Sequence, residues 1–84
     1  MELMQLEMFI AVVEERSVRK AADRVFRTQP AISIALKKLE SELGTRLFDR
    51  SRQMNYKPTR VGKRLYEYAT RIIILRNKAL SLEE

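Results

Sequence analysis

Apolar residues recur at helical spacing through most of the chain. Leu3, Leu6, Phe9, Ile10 and Val13 follow the i, i+3, i+4, i+7 rule and predict an amphipathic helix over residues 3–15. Ser17 then offers an N-cap oxygen to a short second helix whose apolar stripe is Val18, Ala21, Ala22 and Val25. The two alanines on that stripe let another helix approach closely. A third helix begins at Thr28–Gln29, where a capping hydroxyl precedes Pro30 in the first turn. Its core side reads Ile32, Leu36, Leu39 and Leu43 with Ala35 beside them, and Gly44 supplies the left-handed residue that ends it. At about 100° per residue the opposite side presents Pro30, Ile34, Lys37, Lys38 and Ser41, with Gln29 and Ser33 at its N-terminal end.

Residues 47–58 lose this period. Leu47 and Phe48 read as buried, Tyr56 and Pro58 flank the far side, and the stretch between is polar and basic, which predicts a short hairpin. Thr59 caps a last helix. Along it Val61, Leu65, Tyr68, Ile72, Leu75, Ala79 and Leu82 are spaced 4, 3, 4, 3, 4, 3, a three-heptad seam. Tyr66, Ile73 and Leu80 make a second stripe beside it. One small domain covers one stripe, so the other predicts a homodimer through this helix. The chain thus divides into a compact unit of three helices and a hairpin at 1–59 and a dimerisation helix at 60–84.

Composition narrows the function. At 84 residues the chain is one domain, with a core too small for a deep catalytic cavity. It has no Cys and no His, which removes thiolate and imidazole metal sites, disulfides and the usual general base. No metal or cofactor is implied, and an enzyme ranks last. The longest apolar run, Met8 to Val13, is six residues, far short of the ~20 of a membrane helix. Glu2 and Glu7 sit where a secretory signal should be basic. The expectation is a soluble cytoplasmic protein without a membrane partner.

Charge points further. Lys and Arg number 17 against 11 Asp and Glu, a net +6, but residues 1–15 carry −4 while 16–64 carry +10. Within the latter, Arg50, Arg52, Lys57, Arg60, Lys63 and Arg64 are uninterrupted by an acid. Such a concentration attracts polyanions. Two short helices joined across Phe26–Arg27, the second with a polar outward face, make a helix-turn-helix suited to the major groove. Many three-helix packings share these periods without binding DNA. A protein-interaction module built on the heptad helix and a membrane-surface binder are the competing classes. The acid-free stretch from Arg50 to Arg64 weighs against the first. The commitment of the third helix's apolar face to a core weighs against the second.

The residues themselves carry a resemblance. Ala21-Ala22, T-Q-P-A-I-S at 28–33, L-x-x-L-E at 36–40, L-G-T-R-L-F-D-R at 43–50 and P-T-R-V-G at 58–62 resemble the N-terminal domain of LysR-type transcriptional regulators. The resemblance covers residues 1 to about 80. It implies a mostly α, bacterial winged helix-turn-helix: three helices and a short β-hairpin wing, then a long linker helix that pairs antiparallel in a homodimer. Its implied partner is double-stranded operator DNA with an inverted repeat, in the cytoplasm and on the nucleoid. Full-length members add a co-inducer-binding domain and form tetramers. This chain stops where that domain would begin, so it is expected to hold no small-molecule site.

By the same resemblance, Gln29, Pro30, Ala31 and Ser33 match the base-reading start of the recognition helix, and Ile34 and Lys37 continue that face. Backbone and wing candidates are Arg27, Thr28, Lys38, Arg50, Ser51, Arg52 and Lys57. Lys37 and Lys38 also fit as plain surface lysines, and Arg46 and Lys63 read as surface charges or intramolecular partners. Ile34 stands where members often carry Arg, Lys or Gln and cannot donate to guanine. Either it meets a thymine methyl, or the site leans on DNA shape and wing contacts. Gly62, in the first turn of the last helix, is explained by a close backbone contact to the wing or core.

Overall fold

Four helices and one antiparallel ribbon follow in the order α1 (Leu3–Glu15), α2 (Val18–Val25), α3 (Gln29–Leu43), β1 (Phe48–Asp49), β2 (Lys57–Pro58) and α4 (Arg60–Leu80). This is a computed structural model, and it describes residues 1–49 and 56–83. The ribbon pairs Phe48 with Pro58 and Asp49 with Lys57.

Cap chemistry sets the helix starts. Ser17 Oγ accepts from the Lys20 N–H at 3.1 Å, Thr28 Oγ1 from Ala31 at 3.2 Å and Thr59 Oγ1 from Gly62 at 3.1 Å, each satisfying an orphan first-turn donor. At α1 the Gln5 side chain instead reaches back to accept from the Glu2 N–H at 3.1 Å. The ends of the first three helices lie in the left-handed region, at Arg16 (φ 54°), Phe26 (φ 58°) and Gly44 (φ 69°). Glycine takes that conformation freely. The other two residues carry a Cβ there, and they accept the strain because the chain must reverse within two or three residues.

The core is built around α1, which is buried on nearly every side rather than along one stripe. Gln5, Leu6, Met8, Phe9, Ile10, Ala11 and Val12 are all buried, while Leu3, assigned to the stripe by its spacing, is exposed. Helices packed on three sides of α1 account for the difference, and the six-residue apolar run was its signature. Ala21 and Ala22 bring α2 against it, and Ile32, Ala35, Leu36 and Leu39 bring α3. Leu47 and Phe48 close the base, with the Phe48 ring tilted against Phe9 at 5.5 Å and edge-on to Tyr56 at 5.7 Å. Leu43 is not a core residue: as the last residue of α3 it is exposed at the rim of a shallow groove with Val61, Arg64, Leu65 and Tyr68.

The ribbon and α4 are locked at Leu47. Its N–H donates to Glu40 Oε2 at 2.8 Å, its carbonyl accepts from the Thr59 N–H at 2.9 Å, and Thr59 Oγ1 donates to the Arg46 carbonyl at 2.8 Å. Gly62 is buried against this junction, and a Cβ there would overlap the Leu47 carbonyl oxygen and lie 3.2 Å from Pro58 Cβ. The close approach read from the sequence is therefore to the base of the wing.

Polar ties join the helices outside the core. Tyr66 on α4 donates to Glu14 on α1, and Glu14 also pairs with Arg24 on α2 at 2.6 Å. Arg24 reaches Glu15 at 3.2 Å, and Arg76 on α4 pairs with Glu7 on α1. The Tyr66 hydroxyl holds the Glu14 carboxyl below the usual carboxylate range, and the same bond pushes the Tyr66 phenol up. A depressed carboxylate adds stability above its unfolded pKa and loses it as pH falls through the folded one. A raised phenol adds stability below its unfolded pKa and loses it as pH rises through the folded one. The contribution of this pair to stability, read by thermal melting, should therefore be full between about pH 5 and pH 9, the ordinary carboxylate and phenol values lying just outside. Tyr66→Phe should move the acid limb to higher pH, since Glu14 is then held less firmly. An unmoved acid limb would assign it to other carboxylates.

Candidate nucleic-acid interface

α2 and α3 meet at the short turn Phe26–Arg27, and α3 presents its N-terminal half outward. Thr28, Gln29, Pro30, Ser33, Ile34, Lys37, Lys38 and Ser41 are all exposed, and Ala31 is half-buried at the edge of the same face. The face follows from the opposite side of the helix being committed to α1 through Ile32, Ala35, Leu36 and Leu39. No carboxylate occurs from Gln29 to Lys38, and the positive end of the helix dipole lies at the Thr28 cap. Ile34, 55 % exposed, borders a shallow groove lined by Met4, Gln5 and Met8 of α1 and by Ala31, Ala35 and Lys38 of α3. Arg27 is exposed with a guanidinium nitrogen 3.8 Å from Met4 Sδ.

The charges sort themselves. Among the described residues, carboxylates pair with Arg19, Arg24, Arg76 and the Met1 ammonium, which meets Glu42 at 2.7 Å. Arg27, Lys37, Lys38 and Lys57 have no carboxylate within ion-pair distance among the described residues. A helix about 10–12 Å across, polar at one end of its outward face and flanked by unpaired cations, matches a major groove about 12 Å wide.

The sequence pattern of the bacterial regulatory helix-turn-helix proteins of the lysR family matches residues 3–63. The chain belongs to the LysR family. The transcriptional regulator BenM of Acinetobacter baylyi is 42% identical over 73 residues, which are 87% of this chain and 24% of BenM. The BenM DNA-binding domain, solved in complex with catB site 1 DNA, superposes with a TM-score of 0.91 at 38% identity, covering 99% of this chain and 91% of that one. The CbnR DNA-binding domain, also solved with DNA, gives 0.89 at 36% identity over 96% and 92% of the two chains. The chain spans about a quarter of the length of the curated relatives it matches. This is a family of regulators rather than enzymes, and the fold is its winged helix-turn-helix.

In LysR-family terms α2 and α3 form the helix-turn-helix, β1 and β2 the base of the wing, and α4 the linker helix. Gln29, Pro30, Ser33, Ile34, Lys37 and Lys38 are exposed along α3, beyond the exposed N-cap Thr28. Lys57 is exposed on β2. The predicted wing residues Arg50, Ser51 and Arg52 lie outside the described residues. Met4 and Met8 flank Ile34 without having been singled out by the sequence. They lie four residues apart on α1, which was the available signal that they share the face toward α3.

The linker seam divides differently from its sequence reading. Val61, Tyr68, Ile72, Leu75 and Ala79 are exposed, with Leu75 at 64 %. Leu65 is buried in the chain's own core together with Gly62 and Ala69, and Tyr66 and Ile73 pack half-buried beside them. Gly62 seats the first turn of α4 on the wing base at Leu47 and the small Ala69 is buried in the core one turn beyond Leu65, so Leu65 faces inward between them. Leu82 lies in the turn beyond α4, so the helical seam ends before it. Among the described residues no helix is long and apolar enough to cross a membrane.

Proposed function

We propose that the chain reads double-stranded DNA sequence-specifically, as a homodimer on an inverted-repeat operator, within the cytoplasm of a bacterium. The observation that carries this is the outward face of α3: Gln29, Pro30, Ser33 and Ile34 exposed beside the Thr28-capped, carboxylate-free start of the helix. That the similar BenM and CbnR DNA-binding domains were solved in complex with DNA supports DNA as the partner. Gln29 and Ser33 offer hydrogen bonds to base edges, Pro30, Ala31 and Ile34 offer apolar contact to thymine methyls, and Thr28, Lys38 and Lys57 hold phosphates. The exposed stripe Val61, Tyr68, Ile72 and Leu75, continued by Leu43, is the dimer surface. Two-fold pairing there sets two recognition helices at a fixed separation, which demands dyad-symmetric DNA. Co-inducer binding and tetramer formation would belong to the remaining length of a LysR-type regulator.

Selection from a random double-stranded DNA pool, at low and near-physiological salt, tests the reading. An inverted-repeat consensus that survives the higher salt is the expected result. Binding that vanishes with salt and yields no consensus would leave only a basic surface. The same selection with Ile34→Arg should replace a T-containing preference with G at one position of each half-site, a change of about 1–3 kcal/mol in base discrimination. An unchanged preference would show that Ile34 does not touch the bases.

A further inference from the structure

The linker helix is held to α1 in two different ways. Its fully buried positions, Gly62 on the wing base and Leu65 and Ala69 in the core, all lie in the first half. Farther along, Ile73 is only half-buried and borders an open groove with Met4, Glu7, Ile10, Arg24 and Val25. Apolar burial is non-directional, so beyond the Leu47 junction it fixes the direction of α4 less sharply than a polar tie does. What crosses from α4 to α1 at either end of that groove is polar. Tyr66 donates to Glu14 near the C-terminal end of α1, and Arg76 pairs with Glu7 nearer its start. Two points roughly 15 Å apart along α4, ten residues at 1.5 Å each, define the direction of a helix. Glu14 also holds Arg24 of α2, so the first tie extends into the helix-turn-helix itself.

We propose that Tyr66–Glu14 and Arg76–Glu7 form a two-point clamp that fixes the angle between the linker helix and the DNA-reading helices, and thereby selects the separation of half-sites that the dimer accepts. The proposal rests on the dimeric, inverted-repeat reading above. The Tyr66–Glu14 tie is exposed and the Arg76–Glu7 tie only part-buried, so they add little to stability. Their effect is geometric. From Tyr66 to Leu80 the helix extends roughly 21 Å, so a tilt of about 10° moves its far end about 3.6 Å, close to the ~3.4 Å rise of one base pair. Dyad symmetry doubles that displacement across the dimer. A linker free to rock by this amount accepts several spacings, whereas a clamped one accepts one.

The test uses the inverted-repeat duplexes recovered by the unsubstituted chain, the same duplexes with one or two base pairs added or removed between half-sites, and a single half-site duplex. The unsubstituted chain should lose 10-fold or more in affinity when the spacing changes. Tyr66→Phe combined with Arg76→Met, folded as judged by helical circular dichroism, should vary less than about 3-fold across the spacings while binding the single half-site as before. Exchanging one pair, Glu7→Arg with Arg76→Glu, should restore the sharp profile. A double variant that weakens binding equally at all spacings, or that keeps the sharp profile, overturns the clamp and leaves the dimeric reading intact. If the double variant does not fold, Tyr66→Phe alone, which keeps the ring packed, is measured across the same spacings and judged by the same outcomes. Failure of the unsubstituted chain to select any inverted repeat overturns both.

Discussion

Gly62→Ala is expected to destabilise the chain by about 2–3 kcal/mol, the upper part of the roughly 1–3 kcal/mol range for overpacking a filled site, although alanine is the better helix former by ~1 kcal/mol. The sign is decided by the neighbours. The added Cβ would overlap the carbonyl oxygen of Leu47, a main-chain atom already bonded to the Thr59 N–H at 2.9 Å. Pro58 closes the other side at 3.2 Å, so neither neighbour is a flexible side-chain tip. Relief requires α4 to back away from the ribbon, and that loosens the seats of Leu65 and Ala69. For a domain of this size each kcal/mol lowers the melting temperature by about 4–8 °C, so a loss above about 10 °C is the readout. Gly44→Ala is the matched comparison. Nothing lies within 4 Å of its added Cβ, and only the φ of 69° opposes it, at about 1–2 kcal/mol. If the two variants melt alike, the contact at Gly62 is softer than its geometry implies.

That glycine shows what a linear pattern discloses and what it withholds. Its position in a first helical turn marked it as needing a close backbone contact, but only the fold names Leu47 as the contact. The helix limits were legible because their determinants are local: Ser17, Thr28 with Pro30, Gly44 and Thr59 act within a few residues of themselves. The left-handed ends at Arg16 and Phe26 were not legible, since neither residue type favours that conformation. The outward face of α3 could be read because one helix has one buried side and the core residues fix it. The division of α4 could not, because two stripes compete and the winner depends on which side α1 occupies. The pairs Tyr66–Glu14 and Arg76–Glu7 span 52 and 69 residues of sequence, beyond any periodicity.

DNA affinity should fall about 10⁴-fold between 50 and 200 mM salt if the dimer neutralises about eight phosphates, a log–log slope near −7. The estimate rests on unpaired cations, because a cation already held by a carboxylate releases little counterion on binding. Arg19, Arg24 and Arg76 are held in this way, whereas Arg27, Lys37, Lys38 and Lys57 have no acidic partner among the described residues. Counting only these four, which belong to the proposed DNA-facing set, two protomers would supply eight contacts. Replacing Lys37 and Lys38 with alanine removes two per protomer and should bring the slope from about −7 to between −3 and −4. The loss should be nearly uniform across DNA sequences if both lysines meet phosphates. A Lys37→Ala variant that keeps its slope but relaxes the preference at one base pair would instead place Lys37 on a base edge. Replacing Arg24 with alanine is the counter-test: it breaks an exposed tie to Glu14 and Glu15, so it should lower the melting temperature only slightly and leave the slope unchanged. A slope that moved as much with Arg24 as with the lysines would mean that net charge, rather than the face of α3, governs binding.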